Sequence, residues 1–211
     1  MRHSNGSLME ENNSISTIIF DLGQVIVSFD HMELCRRASR HCAFSPDEVF
    51  ERMFDSGLIK RFETGMITSD IFYSEACSAL DMQLERGEFK ILWNTIFALK
   101  PDTVQIIERL QEFQLLLLSN TNCWHFDYCL ESYPVLRCFN DWILSYKVGA
   151  CKPDKQIFEA ALASASATAQ ECIFIDDISL YADAASAMGI HAHTFTTAEA
   201  LEQFLSDMNI I

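Results

Sequence analysis

Four stretches of the sequence put oxygen- and nitrogen-bearing side chains where apolar runs stop. Asp21 follows Thr17-Ile18-Ile19-Phe20, and Ser119-Asn120 follow the bare run over 115–118. Asp176-Asp177 follow the run over 172–175, while Lys152 stands in the turn-rich stretch 148–154. Carboxylates drawn from two separate segments suit a hard divalent cation such as Mg2+, which takes oxygen ligands and keeps several waters. A hydroxyl and an amide hydrogen-bond phosphoryl oxygens, and a lysine neutralises the charge that remains. In that company Asp21 has the chemistry to attack phosphorus, giving an aspartyl-phosphate that water then cleaves. A strand ending in one solvated Asp is common in any α/β protein. Three later segments ending in the same way make the set informative.

The elements that must position these groups follow from periodicity. Strands are expected over 17–20, 115–118, 142–145, 172–175 and 191–195, with 24–29 continuing apolar and β-branched. Helical spacing marks 101–112, 124–130, 155–165, 180–188 and 198–208, with Gly189 as a C-terminal stop. Strands alternating with helices imply an α/β fold, a Rossmann-like parallel sheet core with helices on both faces. In such sheets ligands collect outside the carboxyl ends of the strands. Residues 31–98 break the alternation, with helical spacing over 31–41, 45–55, 69–80 and 85–97. Ser45-Pro46-Asp47-Glu48 and Thr68-Ser69-Asp70 are helix starts. The expected organisation is a catalytic core over 14–30 and 99–211, a small inserted helical cap over 31–98, and a disordered polar tail over 1–13.

Composition narrows the class. The chain has 211 residues, 49% of them hydrophobic and 21% charged, which fits a globular enzyme and excludes disorder. A formal charge of −15 excludes a nucleic-acid surface, which needs clustered Lys and Arg. Any anionic substrate must then be drawn in by local features. No stretch approaches the ~20 apolar residues needed to span a membrane. The eight cysteines form no Cys-x-x-Cys pair, and Cys172 sits in a strand-like run as a small apolar residue. Reduced thiols and a cytoplasmic location are the expectation. Nothing in the pattern selects an oligomeric state.

Taken together, Asp21-Leu22-Gly23-Gln24-Val25, Leu118-Ser119-Asn120, Lys152-Pro153-Asp154 and Phe174-Ile175-Asp176-Asp177 resemble the haloacid-dehalogenase superfamily of phosphotransferases, in that family's order, across 17–208. The first and second motifs look most like bacterial sugar-phosphate phosphatases acting on glucose-1-phosphate. The N-terminal phosphatase domain of epoxide hydrolases is a more distant likeness. The resemblance implies that Asp21 is the nucleophile and a metal ligand, and that Gly23 lends the metal its backbone carbonyl. It implies Asp177 as the direct third ligand, with Asp176 direct or through water. Ser119 and Asn120 would bind the phosphoryl group, and Lys152 would pair with it and with Asp21. The implied cofactor is Mg2+ and the implied substrate a small phosphorylated metabolite, a sugar phosphate being the first expectation.

One departure stands out. Most phosphatases of this family carry a second aspartate where Gly23 stands, and it serves as general acid and base, help typically worth ~10²–10⁴ in rate. Asp30, His31 and His125 are the positions whose place in the chain allows them to supply the proton instead. Otherwise His125 reads as a helix-surface histidine, and His191 and His193 as packing or solvent-exposed residues. Glu63-Thr64-Gly65 reads equally as a substrate-contacting loop or a plain polar turn. Phe62, Phe72, Trp93 and Phe97 are expected to be mostly core. Two rivals remain: a metal-independent 2-haloacid dehalogenase, which leaves Asp176-Asp177 without a purpose, and a catalytically weakened domain that binds a phosphorylated ligand or a partner, which Gly23 would favour.

Overall fold

The computed structural model describes residues 14–211, so the tail expected over 1–13 lies outside the described residues. Five parallel strands form the main sheet, in the order β5-β4-β1-β6-β7. They are β1 (Thr17–Phe20), β4 (Gln114–Ser119), β5 (Asp141–Leu144), β6 (Cys172–Asp176) and β7 (His191–Thr194). Between their ends the central strands are apolar because both of their faces are covered. Ile18, Phe20, Leu115, Leu117, Ile173 and Ile175 point into one hydrophobic cluster. That cluster is closed by α6 (Pro101–Arg109), α7 (Cys123–Ser132) and α11 (Ala198–Asp207), through residues such as Ile107, Cys129 and Leu205. The alternate residues Ile19, Leu116, Leu118 and Phe174 face a second cluster with α9 (Lys155–Ala165) and α10 (Ser179–Ser186). Cys172 is fully buried there, as expected, and all eight cysteines are unpaired.

The chain order puts β1 between β4 and β6. The chain runs outward from β1 through β4 to β5, then returns to the other side for β6 and β7. The carboxyl ends of β1, β4 and β6 therefore meet at the reversal point, where an α/β sheet opens a crevice.

Between β1 and β4 lies a helical segment: α1 (His31–Ala38), α2 (Pro46–Phe50), α3 (Leu58–Glu63), α4 (Ser69–Ala79) and α5 (Arg86–Asn94). Ser45 and Glu48 form the reciprocal cap expected at α2, and Thr68 caps α4. The segment buries its own cluster, including Leu34, Val49, Phe62, Phe72, Phe89, Trp93 and, from α7, Trp124. A short antiparallel ladder ties its two ends, β2 (Val27–Phe29) against β3 (Phe97–Leu99). Three features differ from the expectation. The helix expected over 85–97 stops at Asn94 and the chain re-enters as β3; α3 extends through the stretch before Glu63; and Ser145–Val148 forms a short helix, α8. All are three to six residues long, too short for periodicity to declare itself.

Candidate active site

Asp21 is the first residue beyond β1, and its amide donates to the carbonyl of Ile175 on β6 at 2.9 Å, so the sheet ladder itself fixes its direction. Lys152 comes from the loop between α8 and α9 and is 3% exposed. Its ammonium reaches Asp21 Oδ1 at 2.7 Å and Asp176 Oδ2 at 2.6 Å. The third ammonium contact is the carbonyl of Leu118, at 3.1 Å, on β4. Three strand ends are thus clamped by one cation. Asn120 holds that lysine in place from both sides: its Oδ1 accepts from the Lys152 amide at 2.7 Å, and its Nδ2 donates to the Lys152 carbonyl at 3.0 Å. Asn120 thereby positions the lysine, a role the sequence did not show.

The other carboxylates complete an acidic face. Asp176 is fully buried and accepts the Ile178 amide on Oδ1 at 2.9 Å, while Asp177 is more open. One oxygen from each of Asp21, Asp176 and Asp177 lies within 4.8 Å of the others. Three carboxylates against one ammonium leave two negative charges in a buried place. Burial, with Asp176 beside it and against the pull of Lys152, pushes the Asp21 carboxyl up to about 7. Asp177 is also raised, by burial and then by Asp176. Burial alone would lower the Lys152 ammonium, but Asp21 and Asp176 more than offset it and hold it above its usual range. An all-oxygen donor set with a charge deficit of two fits a hard divalent cation.

A cavity of about 190 Å³ opens over these groups, lined by Asp21, Gly23, Ser119, Asn120, Lys152 and Asp177 from the sheet side. From the helical segment and its ladder come Phe29, His31, Glu63, Ile96 and Phe97, and from the chain beyond β4 and β6 come His125 and Tyr181. Six of the seven residues expected at the site therefore line one space, and Asp176 lies beneath it, holding Lys152.

His125 corrects the surface expectation. It is buried, stacked on Trp93 with ring centres 4.8 Å apart, and its Nε2 meets the Trp93 carbonyl at 3.2 Å. Its Nδ1 faces Asn122 Nδ2 at 3.2 Å, so the amide donates to Nδ1 and Nε2–H donates to the carbonyl. Burial pushes its pKa down to about 3, and it is a neutral, fully engaged ring. Asp30 is exposed, caps α1 through the Met32 amide and pairs with Arg36. His31 lines the cavity between the rings of Phe29 and Phe54 and is lowered by burial. Away from the site, His191 is exposed and His193 stacks on Phe204.

Phe29, which sequence reasoning left aside, and Glu63, which it left open between a substrate-contacting loop and a plain turn, both line the cavity. A side chain at Gly23 would begin 2.7 Å from Phe29 Cε1, so the Phe29 ring fills that space. Glu63, at the end of α3, faces the cavity, and burial pushes its carboxyl up to about 7. The signal was a polar Glu-Thr-Gly turn in an otherwise apolar segment.

A family model for haloacid dehalogenase-like hydrolases matches residues 15–189. D-ribitol-5-phosphate phosphatase of Bacteroides thetaiotaomicron is 25% identical over 173 residues, covering 77% of this chain and 83% of that protein. A phosphatase of Mycobacterium tuberculosis is 28% identical, covering 85% of this chain and 87% of the relative. A family enzyme from Bacteroides thetaiotaomicron, solved with magnesium and inorganic phosphate, superposes with a TM-score of 0.77 at 23% identity, covering 87% of this chain and 95% of the other.

Proposed function

The chain belongs to the haloacid dehalogenase-like hydrolase family, and from that premise we propose that it is a Mg2+-dependent phosphoric monoester hydrolase for a small sugar or polyol phosphate. Asp21 is the nucleophile. The observation that carries this reading is the buried Asp21–Lys152–Asp176 clamp at 2.7 and 2.6 Å, with Asp177 in reach and Ser119 on the same cavity wall.

Asp21, Asp177 and Asp176, with the Gly23 carbonyl, would hold Mg2+, which would supply neutralisation of charge on the phosphoryl oxygens. This chain's own groups account for the rest. Lys152 orients the Asp21 carboxylate and stabilises the charge that builds in the transition state. The Ser119 hydroxyl binds the phosphoryl group, while Asn120 acts through Lys152. Phe29, Ile96 and Phe97 wall the cavity with apolar surface and exclude water. The helical segment over 31–98 serves as a cap. A cavity of about 190 Å³ and a ribitol-phosphate-cleaving relative both favour a small phosphorylated metabolite.

The test is inorganic phosphate release from a panel of sugar and polyol phosphates with Mg2+, with Asp21→Asn as the blank. Turnover that disappears with EDTA and with Asp21→Asn supports the reading. Metal-independent cleavage of a 2-haloacid would replace it, and ligand binding without turnover at high enzyme concentration would point to the weakened domain.

A further inference from the structure

Position 23 has no side chain to deliver a proton, and the space beside it is closed. The Phe29 ring that occupies it packs on His31 and Phe97, with centres 4.8 and 5.9 Å away. A proton for the departing alcohol must come from elsewhere on the cavity wall.

The titratable groups on that wall are Asp21, Asp177, Lys152, His31, His125, Tyr181 and Glu63. Asp21 and Asp177 belong to the acidic face, and Lys152 is held between Asp21 and Asp176. His125 has both ring nitrogens engaged. His31 is held between Phe29 and Phe54, where burial disfavours its protonated form, and burial raises the Tyr181 phenol above its already high ordinary value. Glu63 remains, and among the described residues its carboxyl makes no hydrogen bond and no ion pair. Of its basic helix neighbours, Lys60 is exposed and Arg61 pairs with Glu75 at 2.7 Å.

Its backbone, by contrast, is fixed to the sheet side. The Glu63 carbonyl accepts from Ser145 Oγ at 2.6 Å, and that oxygen accepts the Thr121 amide at 2.9 Å, one residue past Asn120. Gly65 passes so close to the Tyr146 carbonyl that a Cβ would lie 2.3 Å from it, and its φ of +68° is one that glycine adopts freely. The backbone that carries this unpartnered carboxyl is thus anchored beside the loop after β4, and the residue lines the same cavity as Ser119 and Asn120.

Resting on the phosphatase reading above, we propose that Glu63 is the general acid and base of this enzyme, doing from the helical segment what position 23 cannot. As Asp21 bonds to phosphorus and the phosphorus–oxygen bond to the leaving group breaks, the Glu63 proton passes to the leaving oxygen and frees the alcohol. The Glu63 carboxylate then takes a proton from the water that attacks the aspartyl-phosphate. Inorganic phosphate leaves, and both Asp21 and the Glu63 acid are restored. A carboxyl raised to about 7 by burial carries a proton in a useful fraction of molecules near neutral pH, and Cys151, a thiol that burial and the nearby Glu63 push up, supplies no charge to reverse that.

The test compares kcat/KM for p-nitrophenyl phosphate, whose leaving oxygen needs little protonation, with that for glycerol phosphate, whose leaving oxygen needs much. In Glu63→Gln the alkyl-to-aryl ratio should fall by at least about 10²-fold, and Glu63→Asp, which keeps the acid, should recover part of it. Equal losses on both esters would make Glu63 a positioning residue and overturn the proposal, as would an unchanged ratio. A fall in the ratio in Tyr181→Phe but not in Glu63→Gln would move the role to Tyr181. A parent that cleaves neither ester with Mg2+ overturns the phosphatase reading and this proposal with it, whereas Asp21-dependent turnover with an unchanged ratio in Glu63→Gln overturns this proposal alone.

Discussion

The two walls of the cavity are built on opposite plans. The sheet wall rests on a mainly aliphatic core with a few phenylalanines and is charged at its rim, with Asp21, Lys152 and Asp176 interlocked at 2.6–2.7 Å. The helical wall is aromatic. Phe62 stacks on Phe72 at 4.3 Å, Phe72 meets Trp93 at 4.8 Å, and Trp93 carries His125. Its one carboxyl facing the cavity, Glu63, has no partner. Paired charge on one side holds a geometry, while unpaired charge on the other is free to exchange a proton. The difference separates the step that breaks the ester from the step that moves hydrogen.

The largest test of this division falls on the sheet wall. Asp21→Asn should lower turnover at least about 10³-fold on any ester, since the amide is a poor nucleophile and a weak ligand for a hard cation. Circular dichroism should show the fold retained, and activity within tenfold of the parent would end the nucleophile assignment. Lys152→Met should come next. It strands Asp21 and Asp176 together, and breaking a buried ion pair this way costs about 3–5 kcal/mol, read by urea unfolding. Its loss of kcat should exceed any rise in KM. Mg2+ should restore part of the stability, as a cation bound to the native state does.

Two smaller effects probe the helical wall. Gly23→Asp alone should cost about 1–3 kcal/mol by overpacking against Phe29, with no gain on alkyl phosphates. Combined with Phe29→Ala, the aspartate has room, and the alkyl-to-aryl ratio should rise above that of the parent. A gain in the single variant would show that Phe29 does not close the site. The smallest effect is on stability. The folded Glu63 pKa, about 7, lies above its ordinary 4.5, so its contribution is complete below pH 4.5 and is lost as pH rises through 7. Glu63→Gln escapes that loss. Relative to the parent it should gain up to about 3 kcal/mol between those two pH values, measured as Tm across a pH series. A constant difference would mean that the Glu63 carboxyl titrates in the fold as it does in the unfolded chain.

The same contrast explains what the sequence made legible. Asp21, Ser119 and Asp176 stand at the ends of apolar runs, and a buried parallel strand that stops at a polar residue announces both its face and its end. Sheet order then brings the three together without further information. Glu63 and Phe29 reach the cavity only because two substructures dock, and neither periodicity nor local propensity encodes which side of a helix end meets another element. His125 shows the limit most directly. A polar residue on a helix reads as surface, but the Trp93 ring from α5 covers it and the Trp93 carbonyl accepts its proton. The strand β3 is illegible for a simpler reason: its partner is β2, far away in sequence, and three residues carry too little pattern.

That partnership has a consequence for how long the helical segment is allowed to be. Val27 faces Leu99 and Phe29 faces Phe97, so the points where the chain leaves the sheet and returns are side by side. The segment is a closed loop hung from one ladder, and the entropy of closing a loop grows only logarithmically, by about 0.6 kcal/mol for each doubling of length. Residues can be added or removed in the turns between α1 and α2 or between α4 and α5 at a cost of tenths of a kcal/mol, provided the Phe62–Phe72–Trp93 cluster and the anchored Glu63–Gly65 turn are spared, while the sheet and its acids stay in register. Chain length is a nearly free variable on the wall that faces the leaving group and a fixed one on the wall that holds phosphorus.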